Sequence, residues 1–173
     1  MRSSSSRNSL TEPDSATFRE VLGRFATGVV AVTGLVDGQP AGLAVNSFAS
    51  VSLVPPLVSF CVARTSRTWP LLRLAPRLCV SILGEDQRAV AARLAVSGHD
   101  KFRDLSWSAA PSGPPVLDGA IAWLECSIAA EHPAGDHDIV VARVHLLEIS
   151  SISGPLVFYN GRYGRFAAGT PDD

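Results

Sequence analysis

The chain has 173 residues, 46% of them hydrophobic and 18% charged, with a formal net charge of -1. That length fits one ordinary domain, and the apolar content supports a full core without a disulfide or metal staple. The arginines are scattered singly with no Lys/Arg stripe, which excludes the concentrated basic face of a nucleic-acid binder but still suits a phosphate on a small ligand.

The opening MRSSSSRNSLTEPDS is polar and lacks the apolar core of a secretory signal, so a disordered tail over 1–14 of a cytoplasmic protein is expected. No stretch approaches the ~18 apolar residues of a membrane span, and no membrane partner is expected. One domain is expected over 15–167, followed by a short tail over 168–173.

Asp14 or Ser15 is placed to cap a helix whose Phe18, Val21, Leu22 and Phe25 recur at i, i+3, i+4 and i+7, four apolar side chains on one face in a pattern that ends at Gly28. GVVAVTGLV then reads as a strand, and Asp37-Gly38 as a hairpin turn returning through Pro40 to Val45. Leu57–Ala63 reads as a buried strand. Ser66 or Thr68 can cap a short helix carrying Pro70 in its first turn. Arg77–Leu83 is a further strand, and Glu85–Ala95 a helix burying Val90, Ala91 and Leu94. Strands return at Ala120–Ala130 and Ile139–Ile149, joined by HPAGDHD. In the second, Val140, Ala142, Val144 and Leu146 alternate with Val141, Arg143 and His145. PLVFYN is a last strand before a GRYGRF tail. Many short strands with two or three helices indicate a closed antiparallel barrel with helices outside.

Cys61, Cys79 and Cys126 are odd in number and widely spaced among apolar residues. They read as small hydrophobes, not as a disulfide or metal framework. Phosphate-loop, GxGxxG and GxSxG patterns are absent. His132 and His137, five apart beside Asp136 and Asp138, match no metal spacing, and no metal is expected.

Two segments carry possible chemistry. Ala44–Pro56 (AVNSFASVSLVPP) strings Asn46, Ser47, Ser50 and Ser52 between strand-like segments. Its small side chains leave backbone N–H groups open to an acceptor-rich heterocycle, and its hydroxyls open to ribityl or carbonyl oxygens. Composition alone favours the plainer reading, that these residues cap strand ends. ARTSRT (Ala63–Thr68) combines hydroxyls, an arginine and a helix start as a workable phosphate seat. An N-cap with a solvated arginine explains it about as well.

FATGVVAVTG, AVNSFASVSLVPPLVSFCVARTSRTWPLL, SGHDKF, GDHDIVVARV and YNGRYGRF occur in this order. Together, over about Phe18–Phe166, they resemble the short-chain flavin reductases, reductase components of two-component flavin-dependent monooxygenases. The resemblance implies a mainly β, flavin reductase-like split barrel with peripheral helices (an FMN-binding split barrel), usually a homodimer with flavin near the subunit interface. It implies hydride transfer from NADH or NADPH to FMN, FAD or riboflavin, with reduced flavin passing to a partner monooxygenase. On matching positions, Asn46, Ser47, Ser50, Val51 and Ser52 would contact the flavin ring and ribityl chain. Ser66, Arg67 and Thr68 would lie at its phosphate, and Lys101 and Phe102 would close over it. His137 would sit on the nicotinamide side as a positioning and hydrogen-bonding group, with Tyr163 near the same cleft. The cofactors carry the hydride chemistry themselves, so no protein nucleophile is required. A split-barrel protein with tightly held FMN and another acceptor, or a non-catalytic flavin or haem binder, are the alternatives. Members commonly have glycine and an acidic residue at Ala142 and Arg143, and often asparagine at Ser81; these departures bear on cofactor preference.

Overall fold

The computed structural model describes residues 14–98, 100–167 and 169. The expected tails therefore fall largely outside the described residues, as does His99 of SGHDKF. The elements in order are α1 (Ser15–Leu22), β1 (Thr27–Gly28), β2 (Val30–Val36), β3 (Gln39–Val45), β4 (Ala49–Leu53), β5 (Pro56–Ala63), α2 (Trp69–Leu72) and β6 (Leu78–Ile82). There follow α3 (Arg88–Ala95), β7 (Trp107–Ala109), β8 (Pro115–Leu117), β9 (Ala122–Ala134), β10 (His137–Ile149), β11 (Leu156–Tyr159) and β12 (Arg162–Arg165).

Seven strands form one antiparallel sheet in the order β3-β2-β6-β9-β10-β5-β4. The barrel expected from strand count does not close by hydrogen bonding. β3 pairs only with β2, and β4 only with β5, so the sheet is rolled but split. Smaller sheets, β1-β11-β12 and β7-β8, pack outside.

β2 explains the roll. Val30 and Val32 face an inner core with Phe60, Val80, Val140 and Ala142, whereas Val29 and Ala31 pack with Leu83, Ala91 and Leu94 under α3. A strand covered on both faces reads as a continuous apolar run, here VVAV. The Asp37-Gly38 hairpin forms as expected, with φ of 51° and 74° as a two-residue primed turn requires.

Several expectations change. α1 is capped as expected, Asp14 Oδ1 accepting from the N–H groups of Ala16 and Thr17 at 2.8 Å. Its apolar stripe is largely uncovered among the described residues: Phe18 is 55%, Val21 61% and Phe25 72% exposed. The helix expected from Glu85 starts at Arg88, because residues 84–87 form a turn in which Gln87 Oε1 accepts from Gly84 N–H at 2.9 Å. β10 alternates as expected through Val144, then a bulge before Leu146 turns that side chain outward. β9 and β10 run on through most of HPAGDHD, leaving only Gly135 and Asp136 as the turn. GRYGRF is not a tail but β12, folded onto β11 by Asn160-Gly161 at φ 48° and 74°. β4, expected as loop, is an edge strand, and β1, β7 and β8 were not anticipated.

Candidate functional site

The split between β3 and β5 opens into a cleft of about 380 Å³, within the range of small-molecule sites. The last residues of β3 and Asn46 and Ser47 form one wall, Cys61–Ala63 of β5 the second. Thr65–Thr68, the end of α3, Lys101 and His137 complete it. Seven of the expected site residues therefore converge here: Asn46, Ser47, Ser66, Arg67, Thr68, Lys101 and His137.

Their hydroxyls are busier than the sequence suggests. Ser47 Oγ accepts from Cys61 N–H at 2.8 Å, pinning the start of the candidate stretch to β5. Ser66 Oγ accepts from Trp69 N–H at 3.1 Å, capping the single turn of α2. Thr68 Oγ1 accepts from Lys101 Nζ at 3.1 Å. The strand-end reading thus holds for Ser47, whose O–H also donates to Cys61 O at 3.4 Å, and the helix-cap reading for Ser66; what Ser66 and Thr68 leave for a ligand is their O–H donors. Among the described residues, the N–H groups of Thr65, Arg67 and Thr68 meet no backbone or side-chain acceptor. Arg67 is exposed and pairs with no carboxylate among the described residues.

Lys101 is the unusual group. It is 9% exposed, and its ammonium donates to Gly42 O at 3.3 Å, Leu94 O at 3.1 Å and Thr68 Oγ1. Three donors meet three acceptors, so the group is satisfied in hydrogen bonds. No carboxylate among the described residues balances its charge. Desolvation holds its pKa below the usual 10.5. A buried cation without a counter-ion beside open N–H donors and Arg67 is matched by an anion such as a phosphate.

At the other end His137, paired with Ala63 across β10 and β5, reaches the cleft. Its Nδ1 lies 2.7 Å from Asp136 Oδ1. That hydrogen bond, and then the charge of His137, hold the Asp136 carboxyl below its usual range. Arg64 ties this turn to the ARTSRT loop through Arg64 N–H to Asp136 O at 3.0 Å and Nε to Asp138 Oδ1 at 3.2 Å.

The remaining expected residues lie apart from the cleft. Ser50, Val51 and Ser52 sit on β4, which runs away from Ser47 along β5, with a bulge between Ser50 and Ser52. Phe102 lies across Gly42 in an adjoining groove. Tyr163 packs edge-on to Phe158 at 5.3 Å and lines a hollow of about 150 Å³ that shares Ala44, Val45, Asn46 and Ala95 with the cleft. Burial raises its phenol pKa. Ala142 is core, Arg143 faces outward, and Ser81 Oγ accepts from Leu117 N–H at 3.3 Å, so none of the three departures lines the cleft. Thr65, Ser97 and Cys61 line it without having been singled out; the first two stood inside ARTSRT and SGHDKF. Cys79 and Cys126 are fully buried, and desolvation pushes their thiols up to about 11 and about 12, as expected of packed hydrophobes.

A split antiparallel barrel with a cation-bearing cleft at its open side defines the class: a mainly β split-barrel protein with a small-molecule cleft. A family model described as flavin reductase like domain matches residues 22–167. The chain belongs to the flavin reductase like family. It is 44% identical over 152 residues to a flavin reductase of Pseudomonas putida, covering 87% of this chain and 89% of that one. It is 42% identical over 150 residues to HsaB, the reductase subunit of a flavin-dependent monooxygenase of Rhodococcus jostii (strain RHA1), covering 87% and 77%. The solved structure of the Streptomyces globisporus C-1027 NADH:FAD oxidoreductase SgcE6 matches with a TM-score of 0.86 at 36% identity, over 92% of this chain and 98% of that one.

Proposed function

We propose that the cleft binds flavin with its phosphate at Thr65–Thr68 and Lys101, and receives the nicotinamide on the His137 side. The chain is an NAD(P)H-dependent flavin reductase, acting as one domain over 15–167. The observation that carries the site assignment is the uncompensated ammonium of Lys101 beside the open N–H groups and guanidinium of the ARTSRT loop. Bound flavin accepts the hydride that NADH or NADPH donates, chemistry supplied by the cofactors. The chain binds, orients and excludes water. Arg67 and the O–H groups of Ser66 and Thr68 hold the phosphate. Asp136 fixes the His137 ring so that its Nε2 is available to the nicotinamide carboxamide.

From Asn46 and Ser47 the ring lies toward the free edge of β4, where the strand N–H groups that do not point into the β5 ladder are available as donors. Such donors stabilise negative charge on the reduced ring. That edge is open in a single chain, with Val51 51%, Leu53 84% and Val54 91% exposed. Together with the bare stripe of α1, it supports a homodimer in which a second copy closes the site. Reduced flavin is passed to a flavin-dependent monooxygenase, as the name of the Rhodococcus jostii relative suggests. No helix among the described residues is long and apolar enough to cross a membrane. The test is NADH and NADPH oxidation titrated with riboflavin, FMN and FAD, after the as-purified absorbance spectrum is recorded. Flavin-dependent oxidation is expected; its absence with every flavin overturns the proposal.

A further inference from the structure

A second groove, also of about 380 Å³, joins the cleft across Arg67, Thr68, Ser97 and Lys101, which line both. On its far side Phe102 and Leu71 form apolar walls, and Asp37 and Gln39 of the β2–β3 hairpin close its end. The Phe102 wall depends on Gly42. A Cβ there would stand 3.0 Å from Phe102 Cζ, so the missing side chain lets the ring lie against β3.

We propose that this groove holds the adenylate half of FAD, with the pyrophosphate crossing at Arg67 and Lys101, and that FAD is the preferred flavin. The inference rests on the flavin reading of the cleft and extends it to the choice of flavin. Its first support is where the cations stand. Both lie at the junction of two ligand-sized spaces, and neither pairs with a carboxylate among the described residues. A diphosphate linking two ligand halves puts its charge at such a junction. Its second support is the chemistry of the groove. Apolar walls with an aromatic ring suit a flat heterocycle. Asp37 offers acceptors, and the Gln39 amide both donors and an acceptor, for an exocyclic amine and ribose hydroxyls. FMN ends at its phosphate and leaves this space to water. A nicotinamide dinucleotide carries the same adenylate, but His137, the group on its side, lines the cleft and not the groove.

The experiment measures dissociation constants of riboflavin, FMN and FAD by flavin fluorescence, with the KM for NADH, in the wild type, Leu71→Trp and Gln39→Trp. Both substituted side chains are exposed, and either variant that keeps the wild-type melting temperature suffices. FAD is expected to bind the wild type about tenfold more tightly than FMN. Filling the groove brings the two flavins to parity, and added ADP competes with FAD in the wild type but not with riboflavin. Equal FMN and FAD affinity in the wild type overturns the inference while leaving the flavin reading intact. An FAD-to-FMN ratio unmoved in the variants, with a raised KM for NADH, also overturns it by assigning the groove to the nicotinamide dinucleotide. Failure of every flavin to bind removes the flavin reading itself.

Discussion

Arg67 and His137 stand at opposite ends of one cleft, and single substitutions separate their roles. Arg67 is exposed and pairs with no carboxylate among the described residues, so its loss costs the fold little. Arg67→Ala should weaken FMN and FAD by about tenfold or more, the worth of a charge-assisted contact, and leave riboflavin near wild type. Equal weakening of all three flavins would move the phosphate elsewhere. His137→Ala should raise the KM for NADH with flavin affinity largely kept; a large loss of flavin affinity puts the histidine on the wrong side. The same variant has a spectroscopic signature. Asp136 titrates below 3.8 because His137 bonds to it, so its carboxyl carbon should return toward 3.8 by NMR in His137→Ala. A folded pKa below the unfolded one means the stabilisation is present above the unfolded pKa and is lost as pH falls through the folded one. The pair is exposed, so that contribution is small and the titration midpoint is the sharper readout.

Among the elements, α2 is a four-residue helix that follows directly on the proposed phosphate seat. Its single turn is held by Trp69, 4% exposed, which meets Phe60 edge-to-face at 5.7 Å and whose Nε1 donates to Glu131 at 3.4 Å. Phe60→Ala should destabilise the domain by about 3–5 kcal/mol, as buried aromatic truncations do. It should also weaken FMN more than riboflavin, measured by thermal unfolding and flavin titration; unchanged stability contradicts the packing described. The strands flanking the cleft were legible wherever the signal is local. Asp37-Gly38 marked one hairpin, and Asn160-Gly161 carried an equally strong turn signal that was read as the start of a tail. β4 was not legible. Its serines look like loop, and only pairing with Val58 and Leu57 of β5 makes Ser50 and Ser52 strand.

For the molecule as a whole, the exposed α1 stripe and the open β4 edge are the surfaces on which the proposed homodimer is tested. Val21→Asp, at a residue 61% exposed, should leave the folded chain intact and convert a dimer to monomer in sedimentation analysis. Flavin affinity should fall with it, because the same association covers the β4 edge. A wild type that sediments as a monomer with full flavin affinity rules out the closed site. The stripe's spacing places four apolar side chains on one helix face, but among the described residues that face is left exposed. Periodicity reports that a face is apolar, not which surface covers it.

The Ala44–Pro56 stretch divides what sequence determined from what tertiary structure decided. The type of most elements, the Asp37-Gly38 turn, the packed cysteines and the resemblance to flavin reductases all rest on neighbouring residues or ordered motifs, so the one-dimensional pattern held them. Which of its residues meet the cleft depended on register across the chain. Ser47 reaches Cys61, fourteen positions away, and Lys101 reaches Thr68, thirty-three away. Those bonds committed oxygens that composition offered as free, and sent Ser50–Ser52 along an edge strand. They also left Lys101 buried with no carboxylate partner among the described residues. The physical reason is that a polar side chain's role is set by the partner folding brings to it, and that partner is rarely its sequence neighbour.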